Sequence, residues 1–128
     1  MENIKIDRTD TSPEIDFDFQ ANIFGLRGMS YQENVSEFFD PLLDIFSSHL
    51  QNLGGAELIF NFQMTYFNSI SARIILRIFD MLEASAKRGN KIFVIWIYRE
   101  DDDGMEEQGE DFGEDLEHAS FELKVIPD

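Results

Sequence analysis

The sequence contains no cysteine, which excludes disulfides, thiolate metal sites and thiol nucleophiles. Positive charge is scarce. Ten Lys and Arg stand against 26 Asp and Glu, for a net charge of −16 and a pI near 4.2. That balance argues against nucleic acid, whose phosphates are bound by Lys and Arg that displace counterions, and against an anionic membrane surface. Long apolar runs are missing too. The longest, Ile92-Phe93-Val94-Ile95-Trp96-Ile97-Tyr98, is far too short to span a bilayer, so no membrane insertion is expected. The first ten residues carry Glu2, Asp7 and Asp10 and no apolar signal core, so no secretion signal is read and the expected location is cytoplasmic. Gly-rich phosphate loops, nucleophile elbows and zinc-ligand spacings are also lacking. The expectation is a protein that is not an enzyme and carries no cofactor and no catalytic or metal-ligating set.

What the chain does have is a core. Of its 128 residues 43% are hydrophobic, and 13 are Phe, enough to build one domain over 1–128 and to exclude wholesale disorder despite the charge. Ile15, Phe17 and Phe19 alternate with polar residues, and after a turn at Ala21-Asn22 the run 23–27 returns, so 14–27 reads as a hairpin. The spacings Ser30/Glu33 and Asn34/Glu37 both fit a capping box. Because Pro41 is awkward inside one helix, the pattern predicts a short turn at 34–39 and then a helix over about 41–52, with Asp40 as N-cap. Leu58, Phe60, Phe62, Met64 and Tyr66 alternate as the core face of a strand. A helix follows with the stripe Ile70, Ile74, Ile75, Ile78, Phe79, Leu82, closed at Lys87-Arg88-Gly89. The run 92–98 is apolar on both faces, which predicts a central strand covered on both sides. A third helix is predicted near 104–117, a last strand over 121–126 and a short edge strand at 3–6. Strand-helix-strand units imply parallel neighbours and the hairpin makes the sheet mixed, so the fold class is α/β.

The loudest feature is acidic. From Glu100 to Glu117 there are 11 carboxylates and no Lys or Arg. Counted from Arg99, residues Asp101, Asp103, Gly104 and Glu110 fall at positions 3, 5, 6 and 12 of a calcium loop, but Arg99 stands where the first ligand belongs. A solvated helix face and a docking surface for a basic partner are the other readings. An acidic domain that binds divalent metal or acts as an enzyme through these carboxylates is the first alternative function. A constitutive acidic adaptor is the second. The two histidines, His49 and His118, have no useful relation in sequence; each suits the negative end of a helix.

The corner Tyr66-Phe67-Asn68-Ser69-Ile70-Ser71-Ala72-Arg73 is quieter and more informative. Ser and Asn are preferred helix caps, and that accounts for part of it. The corner also lies at the carboxyl end of a strand, where open α/β sheets place their sites. Free amides and the dipole at the helix start favour a phosphate on Ser69 or Ser71. Arg73, four residues beyond Ser69 on the same face, is placed to pair with it.

Around this corner the sequence resembles a known family. The blocks Phe24-Gly25-Leu26-Arg27-Gly28-Met29-Ser30-Tyr31-Gln32-Glu33-Asn34, Phe38-Phe39-Asp40-Pro41-Leu42-Leu43, Tyr66-Phe67-Asn68-Ser69-Ile70-Ser71 and Trp96-Ile97-Tyr98, in this order, are similar to those of the SiaC family of bacterial regulatory phosphoproteins, over about residues 10–126. The resemblance implies a STAS-like fold of the anti-sigma-factor-antagonist kind, a mixed sheet with helices mainly on one side. It implies a partner switch in cyclic di-GMP signalling and control of biofilm and aggregation. A SiaB-like kinase of the histidine-kinase-like ATPase class adds a phosphate and a SiaA-like PPM-type phosphatase removes it. The unphosphorylated form binds an effector such as a SiaD-like diguanylate cyclase. By the same resemblance Ser69 takes the phosphoacceptor position, with Ser71 as the alternative and Asn68 and Arg73 supporting the phosphate or the partner. Here the family's usual Thr is Ser69, the small hydroxyl residue after it is Ile70, and the usual Tyr-Pro-Glu-Asn reads Tyr31-Gln32-Glu33-Asn34.

Overall fold

The computed structural model describes residues 2–128. Six strands and three helices follow in the order β1 (Ile4–Ile6), β2 (Glu14–Asp18), β3 (Ile23–Ser30), α1 (Val35–Gln51), β4 (Glu57–Phe67), α2 (Ser69–Lys87), β5 (Lys91–Arg99), α3 (Asp103–Gly113) and β6 (Ser120–Ile126). In the sheet the spatial order equals the chain order, β1-β2-β3-β4-β5-β6. β1, β2 and β3 are antiparallel, and β3 to β6 are parallel. This is the α/β class with a mixed sheet that the sequence predicts.

The monotonic order has a consequence for the faces. Three crossovers of the same hand, all stepping in the same direction, deposit α1, α2 and α3 on one side. Phe24, Leu26, Phe60, Phe62, Val94 and Trp96 point to that side and are buried. Their alternates form the other face, which no described element covers. Phe93 there is 37% exposed, and Ile59, Ile95 and Ile97 are half-buried. β5 is therefore covered on one side only, against expectation. Its local pattern is that of a doubly covered strand, but the direction of the crossovers decides coverage.

The core is aromatic. Phe17, Phe24, Phe46 and Phe60 pack mostly edge to face beneath α1. Phe62, Phe79, Trp96 and Phe112 continue the cluster beneath α2 and α3. Such pairs add about 0.5–1.5 kcal/mol each beyond the burial of their area.

Three local expectations are corrected. α1 runs unbroken through Pro41, with Asn34 at its N-cap position making no side-chain cap bond. Asp40 does not cap a second helix; its carboxylate meets Arg77 of α2 at 3.1 Å. A proline inside a helix costs about 3 kcal/mol. Burying Phe39, Leu42, Leu43, Phe46 and Leu50 on one stripe returns about 1.5–3 kcal/mol per side chain, so continuity wins. In β4 the alternation slips. Gly28 pairs with Met64 but Met29 pairs with Tyr66, leaving Thr65 as an extra residue opposite Gly28, whose φ of +115° only glycine adopts without strain. The slip turns Tyr66 outward, 50% exposed, and Phe67 inward. Finally, α3 ends at Gly113, short of the expected 117. Leu116 and Ala119, in the connection to β6, pack against the core.

Candidate functional site: the start of α2

β4 delivers the chain to Asn68, which is extended (φ −85°, ψ 178°), and α2 begins at Ser69. The Asn68 side-chain oxygen accepts the Ser71 amide at 2.9 Å, and its backbone carbonyl accepts the Ala72 amide at 2.9 Å. The amides of Ser69 and Ile70 are left without an intrahelical acceptor, and no acidic residue occupies the first turn. The positive end of a 19-residue helix therefore faces outward unneutralised.

The two serines have opposite environments. Ser71 is buried, 1% exposed, and its hydroxyl hydrogen-bonds the Ser30 hydroxyl at 2.8 Å. Ser30 Oγ also donates to Gln32 Oε1 at 3.1 Å, and the Asn68 amide donates to the Ser30 carbonyl at 3.2 Å. Among the described residues, Gln32 Nε2 is shielded from solvent and unpartnered. Ser69 is exposed and takes no part in this network. Ser71 thus ties the helix start to the end of β3, while Ser69 faces solvent.

At the same edge of the sheet lies an apolar surface that sequence periodicity missed. Tyr31 and Tyr66 meet edge to face at 5.6 Å between ring centres. Met29, Tyr31, Tyr66 and Ile70 are all substantially exposed, Ile70 at 53%. The Thr65 bulge creates this surface by rotating Tyr66 out. Its sequence signal is weak: two consecutive aromatics, Tyr66-Phe67, at the end of an alternating strand. Ile70, expected in the core stripe of α2, belongs to this surface instead. Arg73 is exposed, one turn beyond Ser69, and makes no ion pair among the described residues.

Sequence and fold match known proteins. The SiaC family of regulatory phosphoproteins is matched over residues 6–126. The chain belongs to the SiaC family. An uncharacterized protein of Pseudomonas aeruginosa strain UCBPP-PA14 is 30% identical over 115 residues, 90% of either chain. The crystal structure of apo-SiaC from P. aeruginosa superposes with a TM-score of 0.87 at 29% identity, over 97% of this chain and 99% of that one. SiaC in complex with the diguanylate cyclase SiaD, which it activates, is also similar, with a TM-score of 0.90 at 28% identity over 96% and 99% of the chains. In this SiaC-family chain Ser69 stands at the start of α2.

The other candidates resolve differently. Asp103 and Gly104 lie in the first turn of α3, so 99–110 is not a loop that could wrap a calcium ion. Among the described residues no group of three or more Asp, Glu or His is placed to hold a metal. No helix of the described residues is long and apolar enough to cross a membrane. His49 lies in the last turn of α1, with its ring turned to the β2–β3 turn. Its ring lies edge-on to Phe19 and bonds Asn22 Oδ1 at 2.6 Å, and burial holds its pKa below the usual value. His118 lies beyond the end of α3 and meets Glu83 of α2 at 2.9 Å. Glu83 also accepts the amides of Glu117, His118 and Ala119. Partial burial opposes its ionisation, but these bonds, led by the Ala119 amide, outweigh burial and hold its carboxyl down to about 2.

Proposed function

We propose that this SiaC-family protein is a switch whose partner binding is set by a phosphate on Ser69. The observation that carries the proposal is the exposed Ser69 hydroxyl at the first position of α2, at the sheet edge where Met29, Tyr31, Tyr66 and Ile70 are also exposed. A phosphate there would sit on free amides at the positive helix end, within reach of Arg73, with Asn68 holding the turn. Ser71, the alternative acceptor, would first have to break its buried bond to Ser30.

The unphosphorylated surface is apolar and aromatic, suited to docking a protein. The partner it fits is a diguanylate cyclase, by analogy with the P. aeruginosa complex. A kinase of the histidine-kinase-like ATPase class and a PPM-type phosphatase complete the cycle, as the family resemblance implies. Phosphorylation adds about −1.5 to −2 charges at that edge. Desolvation and repulsion then cost several kcal/mol, enough to dissolve a micromolar complex held by roughly 8 kcal/mol. The helix itself is favoured by the added charge, so release needs no unfolding.

The experiment is phosphopeptide mapping after incubation with the cognate kinase and ATP, paired with capture of the diguanylate cyclase by wild type, Ser69→Ala and Ser69→Asp. Phosphate on Ser69, capture by the Ala variant and loss of capture by the Asp variant are expected. Phosphate found only outside 69–71 sinks the assignment. Equal capture by all three proteins makes the chain a constitutive adaptor.

A further inference from the structure

On the bare face of the sheet, at the same carboxyl edge as α2's start, the ladder opens. β4 and β5 pair only as far as Phe62 with Trp96, although β4 continues to Phe67 and β5 to Arg99. Beside this divergence lie the extra residue Thr65 and the left-handed Gly28. The result is a cavity of about 230 Å³. Three arginines line it: Arg8 from the segment before β2, Arg27 from β3 and Arg99 from β5. That concentrates three of the chain's ten cations in one recess of a protein with 26 acidic residues. Gln63 and Thr65 add uncharged donors.

The acidic groups nearby do not neutralise the set. Glu14 approaches Arg27 only at 3.9 Å, with the Arg27 side chain half exposed. Asp102 lines the cavity but directs its carboxylate to the Met105 amide at 3.0 Å. Arg8 and Arg99 form no ion pair among the described residues, although Asp101 lies close enough to Arg99 to feel its charge. The lining thus carries three guanidinium groups against one carboxylate, a donor set suited to a planar or tetrahedral oxyanion.

We infer that this cavity binds a small ligand through a phosphate group, with Arg27 and Arg99 as the principal donors and Arg8 closing the recess from above. Inorganic phosphate and the terminal phosphate of a nucleotide share this chemistry, and the cavity admits either, a nucleoside projecting over the open face. The inference does not depend on Ser69, which lies on the helix side of the sheet.

The test is isothermal titration calorimetry on the full chain with inorganic phosphate and, separately, with magnesium-free GDP, ionic strength held constant with chloride. Saturable one-site binding of at least one of the two is expected. Tighter binding of GDP identifies a nucleotide ligand, and equal binding identifies the phosphate alone as what is read. Arg27→Gln and Arg99→Gln should each weaken binding by at least about tenfold, the loss expected for a charge-assisted hydrogen bond. Arg73→Gln, at the start of α2, should leave it unchanged, which separates this cavity from the helix end. All three side chains are exposed, so the melting temperature without ligand should stay at the wild-type value. No saturable binding of either probe, or affinity unmoved in both Arg27→Gln and Arg99→Gln, overturns the inference. Loss of binding in Arg73→Gln alone would overturn it too, by placing the anion at α2.

Discussion

The starts of α2 and α3 are built alike and used differently. Each follows a parallel strand, and each is capped by an Asx side chain that accepts the amide three residues on: Asn68 from Ser71 at 2.9 Å, Asp102 from Met105 at 3.0 Å. At α3 the next residues supply their own anions, Asp103 and Glu106, so the positive helix end is already answered. At α2 they are Ser69 and Ile70, and the helix end is left open. The corner with little charge of its own is the one able to respond to added charge. The densely acidic helix is fastened down instead.

That fastening is visible along the whole of α3. Trp96 Nε1 donates to the Met105 carbonyl at 3.0 Å, and the Tyr98 hydroxyl meets Glu106 at 3.0 Å. Gly109 and Gly113, one turn apart, lie directly on the Trp96 and Phe121 rings, with no room for a Cβ at either. The largest effect therefore comes from Gly109→Ala. In an exposed helix this change stabilises by about 1 kcal/mol. Here the methyl would overlap the indole, and a loss of about 1–3 kcal/mol is expected from overpacking. Gly104→Ala, whose nearest neighbour is the Asp102 carboxylate at 3.8 Å, should instead gain up to about 1 kcal/mol. Urea unfolding of the two variants decides the matter: a gain in both would show that α3 is not seated on Trp96.

Glu83 fastens the exit from α3 to α2. Gln in its place would set an NH₂ group against amides that are themselves donors, and a loss of about 1–3 kcal/mol is expected at pH 7. The pH dependence carries a sign. Glu83 is held down to about 2 from an ordinary 4.5 in the folded chain, so the unfolded chain binds its proton first as pH falls. The stability it confers is complete above pH 4.5 and disappears towards pH 2. Wild type should thus lose more stability than Glu83→Gln between those limits, measured as unfolding midpoint against pH. Parallel profiles would remove Glu83 from the fastening.

Much of this contrast was legible in the sequence, and the missed parts share a cause. The α2 corner was readable because capping, dipole and i,i+4 spacing are local rules that Asn68, Ser69 and Arg73 satisfy within six residues. The strands of the sheet and the Phe-rich core were readable from period alone. What failed depended on partners distant in sequence. Pro41 stays helical because α1 buries its stripe against a sheet that local propensity ignores. Tyr66 faces out because of a bulge opposite Gly28, 37 residues earlier. The bare face of β5 follows from three crossovers stepping the same way, which no window of sequence contains. Gly109 and Gly113, four apart on a helix, are a local signal of close approach, set among carboxylates that carry the louder pattern.

The caps themselves should cost less than the fastening. Asn68→Ala and Asp102→Ala each remove one side-chain acceptor, worth about 1 kcal/mol apiece. The consequences should diverge in binding. Asn68→Ala loosens the turn that presents Ser69 and should weaken capture of the diguanylate cyclase. Asp102→Ala should leave capture unchanged. Equal weakening by both would mean that α3 also contributes to the docking surface.

The smallest effect is the most pointed, because it exchanges the first residues of the two helices. Ser69 and Asp103 occupy the same position, one past the cap. A carboxylate at an open helix start contributes about 0.3–1 kcal/mol. Ser69→Asp should therefore leave the melting temperature unchanged or raise it slightly, even though it adds a negative charge to a chain already at −16. Asp103→Ser should lower it by a similar small amount. Raising the salt concentration should shrink both differences, since exposed charges are screened within about 10 Å at 0.1 M. The binding consequence runs the other way: Ser69→Asp abolishes capture of the cyclase while Asp103→Ser spares it. A Ser69→Asp protein that melts several degrees early would show that charge at this corner disrupts the helix. Release of the partner would then be a matter of unfolding rather than of surface electrostatics.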